Sequence, residues 1–79
     1  MDELARKILE FLARNGEHTT GEIYVALKDL AVDRGQVRYR LMSLGADGLV
    51  ERRVITPKVM MWKITDKGKK LLEGQTCGA

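Results

Sequence analysis

The chain has 79 residues, 44% of them hydrophobic, which sets one folded domain with a thin core and excludes a disordered polymer. No apolar run approaches the ~20 residues that span a bilayer, the acidic start Met1-Asp2-Glu3 is unlike the basic start of a secretory signal, and a lone cysteine, Cys77, excludes an internal disulfide. The net charge of +3 is unevenly placed: residues 1–33 hold four Arg/Lys against seven Asp/Glu, and residues 34–70 hold ten against three, so the second half presents a field suited to a polyanion.

The first helix is predicted over Asp2 to Arg14, with Leu4, Ile8, Phe11 and Leu12 as its inward stripe and Leu9 widening it. Asp2 and Glu3 suit the positive end of its dipole, and Asn15-Gly16 stops it. Glu17-His18-Thr19 reads as extended, and His18 as a surface residue. A second helix begins after Thr19 or Thr20, with Thr20 as its cap, Glu22 in its first turn and Ile23, Ala26, Leu27 and Leu30 facing inward. Asp29 to Val32 forms the turn, with Leu30 and Val32 plugging the core. Asp33 and Gln36 make a capping box for the third helix, which turns Val37, Leu41 and Leu44 inward and ends at Gly48.

Two strands come next, Leu49 to Val54 and Val59 to Ile64, bent at Thr56-Pro57 because proline cannot donate to a ladder. Trp62 and Ile64 alternate with Met61 and Lys63, the period of a half-buried strand, and so cover the helices. Thr65 caps a last short helix, Asp66 to Leu72, in which Leu71 and Leu72 close the core. Residues 1–73 then form the domain and 74–79 a flexible tail. Helix, helix, helix, strand, strand, helix is an α+β order whose parts bury little separately. Together they make a three-helix core with a hairpin at its edge and a short C-terminal helix, the winged helix-turn-helix arrangement.

The outer face of the third helix holds the candidate site. With Val37 at zero and about 100° per residue, Tyr39 falls at about 200°, directly away from the core, with Gly35, Met42, Ser43 and Gln36 around it. Gln36, Tyr39 and Ser43 can meet base edges, and glutamine can pair with adenine through two hydrogen bonds. Arg38 and Arg40 flank this face and, with Arg34 at the helix start, can reach phosphates. The hairpin adds Arg52, Arg53 and Lys58. Adjacent strand residues face opposite ways, so at most one of the two arginines aims at a duplex, and Lys58 at the tip is the cleaner phosphate contact. Lys67, Lys69 and Lys70 add attraction from further away.

The second half resembles the winged helix-turn-helix transcriptional regulators of the MarR, PadR and ArsR kinds. The matching features are Leu41-x-x-Leu44, Gly48-Leu49-Val50-Glu51-Arg52, and Trp62-Lys63-Ile64-Thr65-Asp66-Lys67-Gly68-Lys69-Lys70-Leu71-Leu72, within a similarity spanning about Leu4 to Leu72. The resemblance implies binding to double-stranded DNA, usually as a two-fold dimer on a palindromic site, with Gln36 to Ser43 as the recognition helix and Arg52 to Lys58 as the wing. The extra dimerisation helices and ligand pocket usual in MarR and PadR proteins are not expected within these 79 residues, so a dimer would use the first helix, the last helix or both. The length fits a minimal regulator of archaeal or viral type, and no small-molecule effector is expected.

The sequence shows no catalytic constellation, no paired cysteines and no metal-ligand cluster, so the expected activity is binding without enzyme chemistry, cofactor or metal. The expected function is that of a sequence-specific, cytoplasmic DNA-binding transcriptional regulator, with double-stranded DNA as partner and no membrane association. The alternative is a winged-helix protein-interaction module in a transcription or replication assembly, using the acidic first half or exposed Tyr39 and Met42. A homodimer is expected, because one copy has few base contacts, and Leu9, about 100° from Ile8, is either left over for a partner subunit or packed at the domain's own edge.

Overall fold

The computed structural model describes residues 3–30 and 33–77. Its elements run α1 (Glu3–Asn15), β1 (His18–Thr19), α2 (Thr20–Ala26), a 3-10 turn (Lys28–Leu30), α3 (Arg34–Ala46), β2 (Val50–Thr56), β3 (Val59–Ile64) and α4 (Asp66–Cys77). The expectations for Asp2, Val32 and the side chain of Leu30 lie outside the described residues. The α+β, winged helix-turn-helix order expected from the sequence is the order observed.

Helix α1 buries Leu4, Ala5, Ile8, Leu9 and Leu12 along one face. Each large side chain so buried stabilises the fold by roughly 1.5–3 kcal/mol. Leu9 is fully buried against the protein's own core, which corrects its assignment to a partner subunit: the α1 stripe is as wide as this core requires. Phe11 is only partly buried and meets the His18 ring edge-on, with centroids 5.0 Å apart. The helix stops at Gly16, whose φ of 80° is the left-handed conformation glycine adopts freely, and the Gly16 N–H donates to the Leu12 carbonyl at 2.9 Å.

Extended residues follow, as expected. His18 pairs with Trp62 and Thr19 with Met61, so β1 adds a third antiparallel strand in the order β1-β3-β2. The cap of α2 is Thr19, not Thr20. The Thr19 hydroxyl accepts from the Glu22 N–H at 3.1 Å, and the Glu22 carboxylate accepts from the Thr19 N–H at 2.9 Å, closing a full capping box. That backbone hydrogen bond, first among several causes, holds the Glu22 carboxyl below its ordinary pKa. Thr20 is thereby released from capping, and its hydroxyl accepts from the Trp62 indole N–H at 2.7 Å. This bond satisfies the one polar atom of a side chain that is otherwise core. Ile23 is buried and Leu27 packs partly against the core, but Ala26 is exposed, contrary to the inward face assigned to it. The helix is only seven residues long and ends before Leu27.

The join between α3 and the hairpin is tightly specified. Gly48 has φ of 77°, its N–H donates to the Gly45 carbonyl at 3.1 Å, and the Leu49 N–H reaches back to the Leu44 carbonyl at 2.9 Å. Buried Leu44 and Leu49 complete this Schellman closure with an apolar pair. Thr65 ties the far end of the hairpin to the same place. Its hydroxyl donates to the Gly48 carbonyl at 2.7 Å and accepts from the Gly68 N–H at 3.1 Å, as the expected cap of α4. Helix α4 then continues to Cys77, past the end expected at Leu72. Lys67 Nζ donates to the Asp47 carbonyl at 3.0 Å, placing a cation on the negative end of α3.

Candidate nucleic-acid interface

Asp33 starts α3: its carboxylate accepts from the Gln36 N–H at 2.8 Å, which is the Asp33 half of the expected box. Val37, Leu41 and Leu44 are buried, so the helix is oriented as its wheel requires. The opposite face is open. Gly35, Gln36, Arg38, Tyr39, Met42 and Ser43 are exposed, Tyr39 at 66% and Met42 at 49%, and Arg40 is half-buried. The Arg40 guanidinium lies over the Tyr39 ring, 5.5 Å from its centroid, within the range of a cation–π contact.

Arg34 and Arg38 project from α3 toward the hairpin tip. With Lys58 they line a cleft of about 590 Å³ whose other walls are Thr19, Thr20 and Gly21 at the start of α2 and Pro57, Val59 and Met60 in the wing. Arg34 is positioned from α2: its guanidinium lies over the Tyr24 ring at 5.6 Å, and a Cβ at Gly21 would stand 3.8 Å from its Nη2. Arg38 and the Lys58 ammonium have no ion-pair partner among the described residues. Three cations, two from successive turns of α3 and one from the wing tip, therefore line one cleft.

The wing arises from register. Val50 pairs with Ile64, Arg52 with Trp62 and Val54 with Met60, while Thr56 pairs with Val59 around the two-residue turn Pro57-Lys58. Strand β2 thus runs two residues further than the expected end at Val54, and Ile55 is the extra residue of a bulge between Val54 and Thr56. Only Val50 of β2 is buried; the rest of the strand stands in solvent.

The two arginines are separated by this register. Arg52 is opposite Trp62, on the sheet face that turns to α3, and lines a depression with Met42 and Gly45. Arg53 is opposite Met61 on the other face, where its guanidinium donates to the Glu17 carboxylate at 2.7 Å. The structure therefore brings Arg34, Arg38 and Lys58 together in the cleft and Arg52 beside Met42, leaves Gln36, Tyr39 and Ser43 exposed along α3, keeps Arg40 half-buried, and sets Arg53 on the opposite face of the sheet from Arg52.

Three contacts that support this surface had weak signals in the sequence. Thr19-x-x-Glu22 is a capping-box spacing one residue before the cap expected at Thr20, so the Thr20–Trp62 bond was hidden by a one-residue shift. The Lys67 contact with α3 looked like an ordinary solvated lysine. Gly68 is buried in α4, where a Cβ would collide with the Leu49 carbonyl oxygen and come within 2.8 Å of Ile64 Cγ1. A glycine inside a helix pattern was the only sign of that close approach.

Three helices, a β-hairpin wing and an open third-helix face define the chain as a winged helix-turn-helix protein. It belongs to the family described as FaeA-like protein, whose model matches residues 4–65. No protein of curated function matches its sequence. Solved structures share the fold. RosR of H. salinarum is 19% identical, with a TM-score of 0.88 over 96% of this chain and 71% of RosR. PadR of Bacillus subtilis, solved in complex with operator DNA, is 27% identical with a TM-score of 0.81 over 96% of this chain and 48% of PadR. BpsR of Bordetella bronchiseptica, whose DNA binding is regulated by 6-hydroxynicotinic acid, is 20% identical with a TM-score of 0.81 over 96% of this chain and 53% of BpsR. Among the described residues no group of three or more His, Cys, Asp or Glu is placed to hold a metal ion, and no helix is long and apolar enough to cross a membrane.

Proposed function

We propose that the chain is a sequence-specific, double-stranded DNA-binding transcriptional regulator acting in the cytoplasm. Helix α3 enters the major groove and the wing rests on the adjacent backbone. The observation that carries this reading is the cleft in which Arg34, Arg38 and Lys58 converge beside an open helix face. A duplex backbone laid in the cleft meets three cations in a row, and the same pose sets Gln36, Tyr39 and Ser43 against base edges. Arg40 and Arg52 serve the flanking phosphates. Arg53, held by Glu17, has the least direct part of the nine residues. The operator complex of PadR supports the pose by likeness of fold.

The binding unit in this reading is residues 1–73, and no effector pocket is invoked. A single copy offers few base contacts, each good one worth ~1–3 kcal/mol of discrimination, so the operator is proposed to be a palindrome occupied by two copies. Because Leu9 is buried, that pairing uses a surface other than the α1 stripe.

Fluorescence anisotropy against duplex DNA over a salt series tests the reading. Binding should weaken steeply with salt, and Arg38→Ala with Lys58→Ala should flatten the log–log slope by about 1.8, at about 0.9 for each phosphate no longer neutralised. Helix content should be unchanged. Failure to bind any duplex at low salt removes the proposal.

A further inference from the structure

The side chains exposed on α3 go further and, resting on the DNA-binding reading, bear on which bases are read. A helix that only followed phosphates would have no use for large apolar groups in solvent, yet Tyr39 and Met42 are 66% and 49% exposed. Neither packs in the core, and the Arg40 guanidinium lies over the Tyr39 ring. In the major groove one base edge offers an apolar group, the 5-methyl of thymine, and an adenine edge offers the donor–acceptor pair that a glutamine amide matches. Gln36 stands exposed one turn before Tyr39 and Arg40.

Guanine is read most often by arginine or lysine. The cations of this helix stand on its shoulders, to either side of the face that Tyr39 centres. Arg34 is drawn back over Tyr24 and Gly21, Arg38 lines the cleft with Lys58, and Arg40 is stacked on Tyr39. The middle of the reading face is left to a glutamine, a tyrosine, a methionine and a serine. Gly35 presents no side chain there, so the first turn can come close to the base edges.

We infer that α3 reads an A·T-rich half-site, with Tyr39 and Met42 against thymine methyl groups and Gln36 pairing with adenine. Tyr39 and Met42 are then specificity-determining residues, and the arginines set affinity without choosing sequence.

Selection from a random duplex library, followed by base replacement in the selected half-site, tests this. An A·T-rich consensus is expected. Replacing its thymines by deoxyuridine deletes only the methyl groups and should weaken binding about fourfold for each methyl that is buried. Replacing the contacted adenine by 7-deazaadenine should cost about tenfold, and Gln36→Ala should abolish that difference. The Tyr39→Ala, Met42→Ala variant should bind thymine and deoxyuridine duplexes equally, which separates contact with the methyl from its effect on DNA shape. A G·C-rich consensus, equal binding of the two duplexes by the unaltered protein, or a preference for thymine that survives in the double variant overturns the inference while leaving DNA binding intact. Absence of any duplex binding at low salt is the separate outcome that removes the underlying reading, and this inference with it.

Discussion

Helices α1 and α3 are both 13 residues long and lie against the same core, yet they divide their side chains in opposite ways. In α1 the apolar residues gather on one side and all but Phe11 and Ala13 are buried. In α3 three apolar residues are buried, while Tyr39 and Met42 point away from the core among arginines. The first pattern is what a helix shows when stability alone places its side chains. The second gives up a clean apolar stripe for a surface that can meet another molecule. The difference separates a helix that holds the domain together from one that the domain holds out.

The largest expected effects test that division directly. Leu9→Ala in α1 should cost about 2–5 kcal/mol in urea unfolding, because it empties a fully buried site. That is a large fraction of the roughly 5–15 kcal/mol that stabilises a typical domain. The affinity of the remaining folded protein for DNA should be unchanged. The pair Tyr39→Ala and Met42→Ala should do the reverse: stability within about 0.5 kcal/mol for each surface change, and clearly weaker DNA binding. If the two sets of substitutions lower stability alike, α3 is an ordinary packing helix and the contrast fails.

Gly68→Ala probes the frame on which the wing is mounted. In an open helix alanine would be favoured over glycine by about 1 kcal/mol. Here the new Cβ meets the Leu49 carbonyl oxygen, which is backbone fixed by its bond to the Thr65 N–H, and Ile64 behind it. Steric overlap therefore wins, and a net loss of about 1–3 kcal/mol is expected in thermal or urea unfolding. A stabilised variant would show that α4 does not pack this closely on the base of the wing.

The elements were legible because they rest on local chemistry that short stretches of sequence display. The spacing of Val37, Leu41 and Leu44 fixed the rotation of α3, and with it the exposure of Gln36, Tyr39 and Ser43. The alternation of Trp62 and Ile64 likewise identified the covered face of β3. What stayed hidden depended on distance in the chain. The stripe of α1 suggested a surplus at Leu9, but the width of the core it meets is set by α3, α4 and β3. The directions of Arg52 and Arg53 were known to be opposite, yet which faced α3 depended on the pairing of Arg52 with Trp62. The cleft is assembled from residues 19–21, 34, 38 and 57–60, and no sequence window contains it.

Thr20→Val tests a smaller link between the core and the wing. The substitution keeps the shape of the side chain and removes the acceptor for the Trp62 indole N–H, 2.7 Å away. Trp62 is almost fully buried, so the orphaned donor should cost about 1–3 kcal/mol. Trp62 is the chain's one tryptophan, so its fluorescence should report the change directly. Thr20→Ser, which retains the hydroxyl, should recover most of the loss. If valine and serine behave alike, the hydrogen bond has no part in seating the wing.

The smallest expected effect concerns the two faces of the wing itself. Arg53 and Glu17 are 2.7 Å apart, but the arginine side chain is 65% exposed, so water and salt screen the pair. A double-mutant cycle with Arg53→Ala and Glu17→Ala should give a coupling of about 0.2–1 kcal/mol that shrinks as salt is added. The same variants sort the wing arginines by what they touch. Arg52→Ala should weaken DNA binding more than Arg53→Ala, since Arg52 shares the face that turns to α3. Glu17→Ala then supplies the sharper measurement. It removes a negative charge and releases Arg53 without altering the site face, so any gain in affinity should amount to no more than long-range attraction and vanish at high salt. A large, salt-resistant gain would mean that a released Arg53 reaches the duplex directly, and that Glu17 restrains a DNA contact instead of bracing the back of the sheet.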